Sequence, residues 1–171
     1  TLRVTVLDDF RVGDFANLTE LAGEAWSFRG DVIARSLGEL DLIGLVEALE
    51  PDAVYHLALI TDTTVTDQAA MIEDNVRPFR ELLGVCVRRG VPLAWASSAA
   101  TYGQDANGAV AERRPFRLED AGRPANVYGF SKWVMENLAR QTLADVPRAH
   151  VVGLRYFNVF GPGEAHKGKM A

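Results

Sequence analysis

The stretch Val76-Arg77-Pro78-Phe79-Arg80-Glu81-Leu82-Leu83-Gly84-Val85-Cys86-Val87-Arg88-Arg89-Gly90-Val91-Pro92-Leu93-Ala94-Trp95-Ala96-Ser97-Ser98 holds two patterns back to back. Val76, Phe79, Leu82, Leu83 and Cys86 recur at helical spacing, which gives a helix one apolar face. Gly90 and Pro92 stop that helix. The run Val91–Ala96 is short and apolar, as a strand buried in a parallel sheet requires, and it leads into Ser97-Ser98. The same alternation extends in both directions. Upstream lie strand-like Leu2–Leu7, ending on Asp8-Asp9, and Ala53–Ala58, introduced by Pro51-Asp52. Between them Leu42, Leu45, Val46 and Leu49 form a helical stripe. Downstream, a helix from about Val127 to Thr142, with Phe130, Val134 and Leu138 at helical spacing, precedes the strand-like His150–Tyr156. Alternating strands and helices predict an α/β fold with a doubly wound parallel sheet. Residues 104–108, 113–123 and 161–169 read as loops, and without repeats or linkers the chain reads as one domain.

Composition narrows the function classes. With 48% hydrophobic and 24% charged residues, the 171-residue chain can build one globular core. A net charge of -5, with no Lys/Arg run beyond pairs such as Arg88-Arg89, argues against nucleic acid as a partner. No apolar stretch approaches the roughly 20 residues of a membrane helix, and no signal-peptide pattern opens the chain. The one cysteine, Cys86, cannot form an internal disulfide, so the cytoplasm is the expected compartment. Three scattered histidines and Cys86 make no metal-ligand pattern, and no metal is expected. Cys86, His56, Trp26, Trp95 and Trp133 read as packing residues.

Two features carry chemistry. Tyr128 and Lys132, four apart within the third helical pattern, share one helix face. A phenol near pKa 10 is a poor base at neutral pH, and a neighbouring ammonium lowers it at roughly 1.4 kcal/mol per unit. That combination suits proton transfer coupled to hydride transfer. Ser98 lies at the C-terminal end of its strand, where open α/β sheets bind ligands, and its hydroxyl can reach both a reacting oxygen and a tyrosine.

Three longer segments make the pattern specific. Ser97-Ser98-Ala99-Ala100-Thr101-Tyr102-Gly103, Asn126-Val127-Tyr128-Gly129-Phe130-Ser131-Lys132 and Arg155-Tyr156-Phe157-Asn158-Val159-Phe160-Gly161-Pro162 resemble, in order and spacing, the extended short-chain dehydrogenase/reductase family, which includes nucleotide-sugar epimerases and dehydratases. The resemblance implies a Rossmann-like sheet and assigns cofactor contacts to Asp8, Asp9, Asp31, Val32, Leu57, Ala58, Leu59, Asn75, Tyr128, Lys132 and Val159. The family's dehydratases carry Thr-Asp-Glu at the strand end. Ala99 and Ala100 stand here in place of the acidic pair, which speaks against elimination.

Within that family, Gly163-Glu164-Ala165-His166-Lys167-Gly168-Lys169-Met170-Ala171 is similar to the Gly-His-Lys-Gly-Ser-Met-Ala segment of the ADP-glyceromanno-heptose 6-epimerases, which also carry a pair like Thr63-Thr64. That likeness implies Tyr128 and Lys167 as the two acid/base residues, with Ser98 supporting the site and Lys132 on the nicotinamide ribose. It places Ser98, Asn158 and Lys169 at the substrate, Lys169 standing where the subfamily has serine. The implied reaction inverts C6″ of ADP-heptose, in lipopolysaccharide core synthesis, by transient oxidation and re-reduction, and the full-length protein is expected to be a homo-oligomer. A UDP-hexose 4-epimerase shares the core motifs, and only the His166-Lys167-Gly168 loop separates the two. Asp8 can accept from a ribose 2′-OH, favouring NAD, whereas the subfamily resemblance favours NADP. Arg11 is either a partner for a 2′-phosphate or a solvated cation.

One element of the pattern is missing. No Gly-x-x-Gly-x-x-Gly or Gly-x-Gly-x-x-Gly occurs, and the first visible strand matches the family's second. The chain is therefore expected to be a partial dinucleotide-binding domain, residues 1–171, lacking the first strand–helix unit and the C-terminal substrate region. Such a piece is expected to be inactive alone and to bind dinucleotide poorly. A non-catalytic, truncated dinucleotide-binding protein is the alternative.

Overall fold

The computed structural model describes residues 2–21, 24–25, 28–62, 65–103 and 116–161. Trp26, Thr63, Thr64, His166, Lys167, Lys169, the loop at 104–108 and most of that at 161–169 lie outside the described residues. The chain forms two compact units, Thr1–Leu40 with Asn158–Ala171, and Asp41–Phe157.

In the first unit, β1 (Val4–Leu7) pairs in parallel with β4 (Gly30–Ile33), with Val4 opposite Gly30 and Val6 opposite Val32. The sequence reading took Asp31-Val32 as a binding pair and did not foresee β4, because only Val32 and Ile33 are apolar there. Gly30 fits because a Cβ would stand 2.1 Å from the Val4 carbonyl oxygen. Two short antiparallel strands, β2 (Glu20–Leu21) and β3 (Glu24–Ala25), complete this unit.

The second unit contains α1 (Leu42–Leu49), β5 (Val54–His56), α2 (Gln68–Arg89), β6 (Leu93–Ser98), α3 (Val127–Asp145) and β7 (Val151–Tyr156). Its sheet is parallel with order β5-β6-β7. Each helix starts on a side-chain cap that satisfies an otherwise orphaned backbone N–H: Asp41 accepts from Gly44 N at 2.9 Å, Asp67 from Ala70 N at 3.0 Å and Asn126 from Gly129 N at 2.8 Å. Helix α2 ends on Gly90, whose φ of 71° is the left-handed conformation that glycine adopts without strain. It begins at Gln68, eight residues before the apolar stripe that reveals it.

Register decides which strand residues are covered. Leu93, Trp95 and Ser97 of β6 are buried, and His56, Gly153 and Arg155 lie across from Trp95 or Ser97 on the same face. Phe79 of α2 packs on Trp95 with ring centroids 4.6 Å apart and stacks on His56 at 5.8 Å. Gly153 makes room for the indole, since a Cβ there would meet the Trp95 ring at 2.8 Å. The opposite face corrects the expectation of strands buried throughout: Tyr55 is 75% exposed and Val152 55%. The apolar runs are sheet strands, but this unit's helices cover only the face that carries Trp95.

In helix α3 the residues at apolar helical spacing are not the buried ones. Phe130 is exposed and Val134 and Leu138 are only half-buried, whereas Gly129, Ser131, Lys132, Met135, Glu136 and Ala139 are the buried residues. The buried face is mixed in polarity because its polar members find partners, as described next.

Candidate active site

The buried face of α3 packs against the C-terminal end of β6 and the single turn Ala99–Tyr102 that follows it. Gly129 permits this approach: a Cβ there would lie 2.7 Å from the Ala100 carbonyl oxygen. Beside it, the Ser98 hydroxyl neighbours the Tyr128 phenol and favours its ionised form, while accepting from Ala100 N at 3.1 Å. Lys132 is 1% exposed. Its Nζ donates to the Ala96 carbonyl at 2.7 Å and stands 5.4 Å from the centre of the Tyr128 ring. The structure thus brings together Ser98, Tyr128 and Lys132 at the edge of the sheet where parallel α/β folds bind ligands.

The electrostatics differ from the expectation. Burial raises the Tyr128 phenol above its ordinary value, and the Ser98 hydroxyl offsets only part of that. Burial also lowers Lys132 to about 7. The two effects share a cause, since a dry site disfavours phenolate and ammonium alike. Lys132 therefore does not draw Tyr128 down here.

Asn75 of α2 is wholly buried and fully engaged. Its Oδ1 accepts from Ile60 N at 2.8 Å, and its Nδ2 donates to Ile60 O at 3.1 Å and to Ser131 Oγ at 3.3 Å. Ser131 in turn donates to the Tyr128 carbonyl at 2.7 Å. Asn75 thus fixes the backbone just past Leu57, Ala58 and Leu59 to the helix that carries Tyr128. Gly129 and Ser131 escaped the sequence reading, although both lie inside the Tyr-x-x-x-Lys span. His56 is buried, and burial, then the charge of Lys132, lowers it to about 4, so it packs as a neutral ring.

A second polar cluster adjoins the first. Ser97 donates to Glu136 Oε1 at 2.6 Å, and Arg155 of β7 holds the same carboxylate through Nε at 2.7 Å and Nη2 at 2.6 Å. Arg140 adds a contact at 3.1 Å. The paired guanidinium and the hydroxyl overcome burial and keep Glu136 below the usual carboxylate range.

The first unit carries the remaining described candidates. Asp8 Oδ1 accepts from Phe10 N at 2.7 Å, closing a tight turn after β1 in which Phe10 has φ 54°. Asp9 binds Arg11 Nε at 2.6 Å, and that hydrogen bond holds its carboxyl below the ordinary value. Arg11 is thus a largely exposed ion-pair partner of Asp9. Asp31 meets Arg3 at 2.9 Å in an exposed pair, and Val32 lies within β4. Asn158 and Val159 are exposed. Among the described residues no group of three His, Cys, Asp or Glu could hold a metal ion, and no helix is long and apolar enough to cross a membrane.

A parallel sheet with serine, tyrosine and lysine converging at its C-terminal edge defines a dinucleotide-dependent class of α/β protein. The family described as NAD dependent epimerase/dehydratase matches residues 3–171, and the chain belongs to it. Among solved structures it is similar to the ADP-L-glycero-D-manno-heptose-6-epimerase of Helicobacter pylori, at 33% identity and TM-score 0.78, over 99% of this chain and 51% of that one. It also resembles the UDP-N-acetylglucosamine 4-epimerase of Methanobrevibacter ruminantium, at 25% identity and TM-score 0.75, over 93% and 48% of the two chains. A third likeness is to WbmG of Bordetella bronchiseptica in complex with NAD and UDP, at 28% identity and TM-score 0.69, over 92% and 46%. The chain spans about half the length of these relatives.

Proposed function

We propose that the protein carrying this chain is an NAD(P)-dependent nucleotide-sugar epimerase that inverts C6″ of ADP-D-glycero-D-manno-heptose. The observation that carries the epimerase reading is the clustering of half-buried Ser98 and Tyr128 with buried Lys132. The heptose reading is supported by the His166-Lys167-Gly168 wording and by the 33% likeness to a heptose epimerase.

The residues fit a nicotinamide nucleotide. Lys132 Nζ gives one of its three hydrogens to Ala96, and among the described residues the other two have no acceptor, which suits a ribose diol. Bound nicotinamide would accept a hydride and return it. Tyr128 takes the carbinol proton on one face, Ser98 holds the reacting oxygen, and Lys132 would position the ribose. After the transient ketone turns its other face, Lys167 serves as the second acid/base. Asn158 and Lys169 contact the sugar nucleotide. Asp8, Asp9, Asp31 and Val32 face the adenosine half, while Leu57, Ala58, Leu59, Asn75 and Val159 line or support the cofactor groove. NADP is the preferred cofactor, with NAD permitted. Residues 1–171 form one partial dinucleotide-binding domain of a cytoplasmic homo-oligomer in the lipopolysaccharide core pathway.

A UDP-hexose 4-epimerase is the second reading, favoured by the likeness to a UDP-sugar 4-epimerase. Incubating the full-length protein with ADP-D-glycero-D-manno-heptose and following the C6″ epimers by NMR tests the first. Interconversion is expected; its absence alongside turnover of a UDP-hexose selects the second, and inertness toward both removes the epimerase reading.

A further inference from the structure

Ser98 is pinned on both sides in sequence by one ion pair. Before it, Ser97 is 3% exposed and donates to Glu136 at 2.6 Å. After it, the turn Ala99–Tyr102 ends on a ring that lies 4.8 Å from the Arg155 guanidinium carbon. Arg155 and Glu136 grip each other through two hydrogen bonds, the two-point geometry that fixes orientation as well as distance. Arg155 also donates to the Leu118 carbonyl at 3.2 Å. Glu136 lies one helical turn beyond Lys132, so the helix that carries Tyr128 is tied to β6 at two successive points: Lys132 on Ala96, and Glu136 on Ser97. We propose that Glu136, Arg155 and Ser97 are positioning residues that set the distance between the Ser98 hydroxyl and the Tyr128 phenol.

The proposal rests on reading Ser98 and Tyr128 as the proton-transfer pair. Glu136 and Arg155 touch neither phenol nor Ser98 hydroxyl among the contacts of the described residues, so their influence passes through the backbone of 96–98 and the turn at 99–102. A loosened clamp lets Ser98 move off Tyr128 and removes the one interaction that favours its phenolate. The charged group beside the Tyr128 ring is Lys132, whose charge also acts on His56 of β5, and the adjoining cluster holds Glu136 on the same helix, Arg155 on β7 and Tyr102 in the turn. Ser97→Ala changes the charge of none of them.

The test is made in the full-length protein with Ser97→Ala, and with Arg155→Lys as a second variant that keeps the charge and loses the fork. Tyrosine ionisation is followed by ultraviolet difference titration, the Tyr128 component being identified by its loss in Tyr128→Phe. In both variants that component is expected to move to higher pH by about half a unit or more. With a nucleotide-sugar substrate, kcat is expected to fall about 5- to 20-fold with KM within about 2-fold, and the acid limb of the pH–rate profile to move up. A Tyr128 titration unchanged in folded Ser97→Ala or Arg155→Lys overturns the proposal. The titration needs no turnover, so a wild-type protein inactive on every nucleotide sugar would overturn the functional reading and leave this test intact.

Discussion

Lys132 shows at the scale of one residue how a proposed binding group weakens the fold that holds it. Burial lowers its folded pKa to about 7 from an ordinary 10.5. Between those values the unfolded chain holds a proton that the folded chain lacks, so stability rises with pH from about 7 upward, and the full cost of burying the charge is felt below it. Lys132→Met removes that cost, on the order of a few kcal/mol, while leaving the Ala96 carbonyl unpaired at about 1 kcal/mol. The variant should therefore melt higher than wild type at pH 6, converge with it near pH 10, and lose cofactor affinity. Melting curves across that range check this, and a variant less stable at pH 6 contradicts it. His56 acts in a separate window. Its folded pKa of about 4 lies below the ordinary 6.5, so stability falls as pH drops from 6.5 to 4, by about 3 kcal/mol. His56→Leu should flatten that acid slope in a denaturant titration. Tyr128→Phe, which retains the ring and removes the proton, should lower kcat by at least about 100-fold with little change in melting temperature.

At the scale of elements, the sequence made the alternation legible and hid the faces. Every long helix and every strand of β5-β6-β7 was visible because each carries an apolar run or stripe bounded by Gly or Pro. Strand β4 was not, being four residues long with only two strongly apolar members. In α3 the apolar spacing and the buried face differ. Hydrophobic periodicity selects Phe130, Val134 and Leu138, yet Lys132 and Glu136 take the buried side because Ala96, Ser97 and Arg155 satisfy them. Long-range polar partners leave no trace in local periodicity. The site residues were legible for the opposite reason, since Tyr-x-x-x-Lys fixes its own geometry once helical. Gly129 carries the prediction at this scale. Gly129→Ala places a methyl against the Ala100 carbonyl and must push α3 away from the Ser98 turn. It should cost about 1–3 kcal/mol of stability and lower kcat at least about 10-fold, because transfer distances between Ser98, Tyr128 and substrate lengthen. Kinetics and melting on the purified variant decide it; unchanged kcat would mean that helix and turn do not need this contact.

The whole molecule raises the question of what 171 residues can bind unaided. Lys132, Tyr128 and Ser98 stand in the second unit, and Asp8, Asp9, Asp31 and Val32 stand in the first. Among the described residues neither contains a glycine-rich turn opening a helix, the arrangement whose backbone N–H groups and helix dipole hold a diphosphate. The diphosphate carries the cofactor's densest charge, so losing its cradle should outweigh the contacts that remain. Residues 1–171 alone should therefore bind NADP or NAD at least about 100-fold more weakly than the full-length protein, equivalent to about 3 kcal/mol. Isothermal titration calorimetry on both proteins measures the difference. Comparable affinities would mean that Lys132, Tyr128 and the β1 acidic turn hold the dinucleotide without a diphosphate cradle, and would move the energetic centre of the cofactor site onto the residues described here.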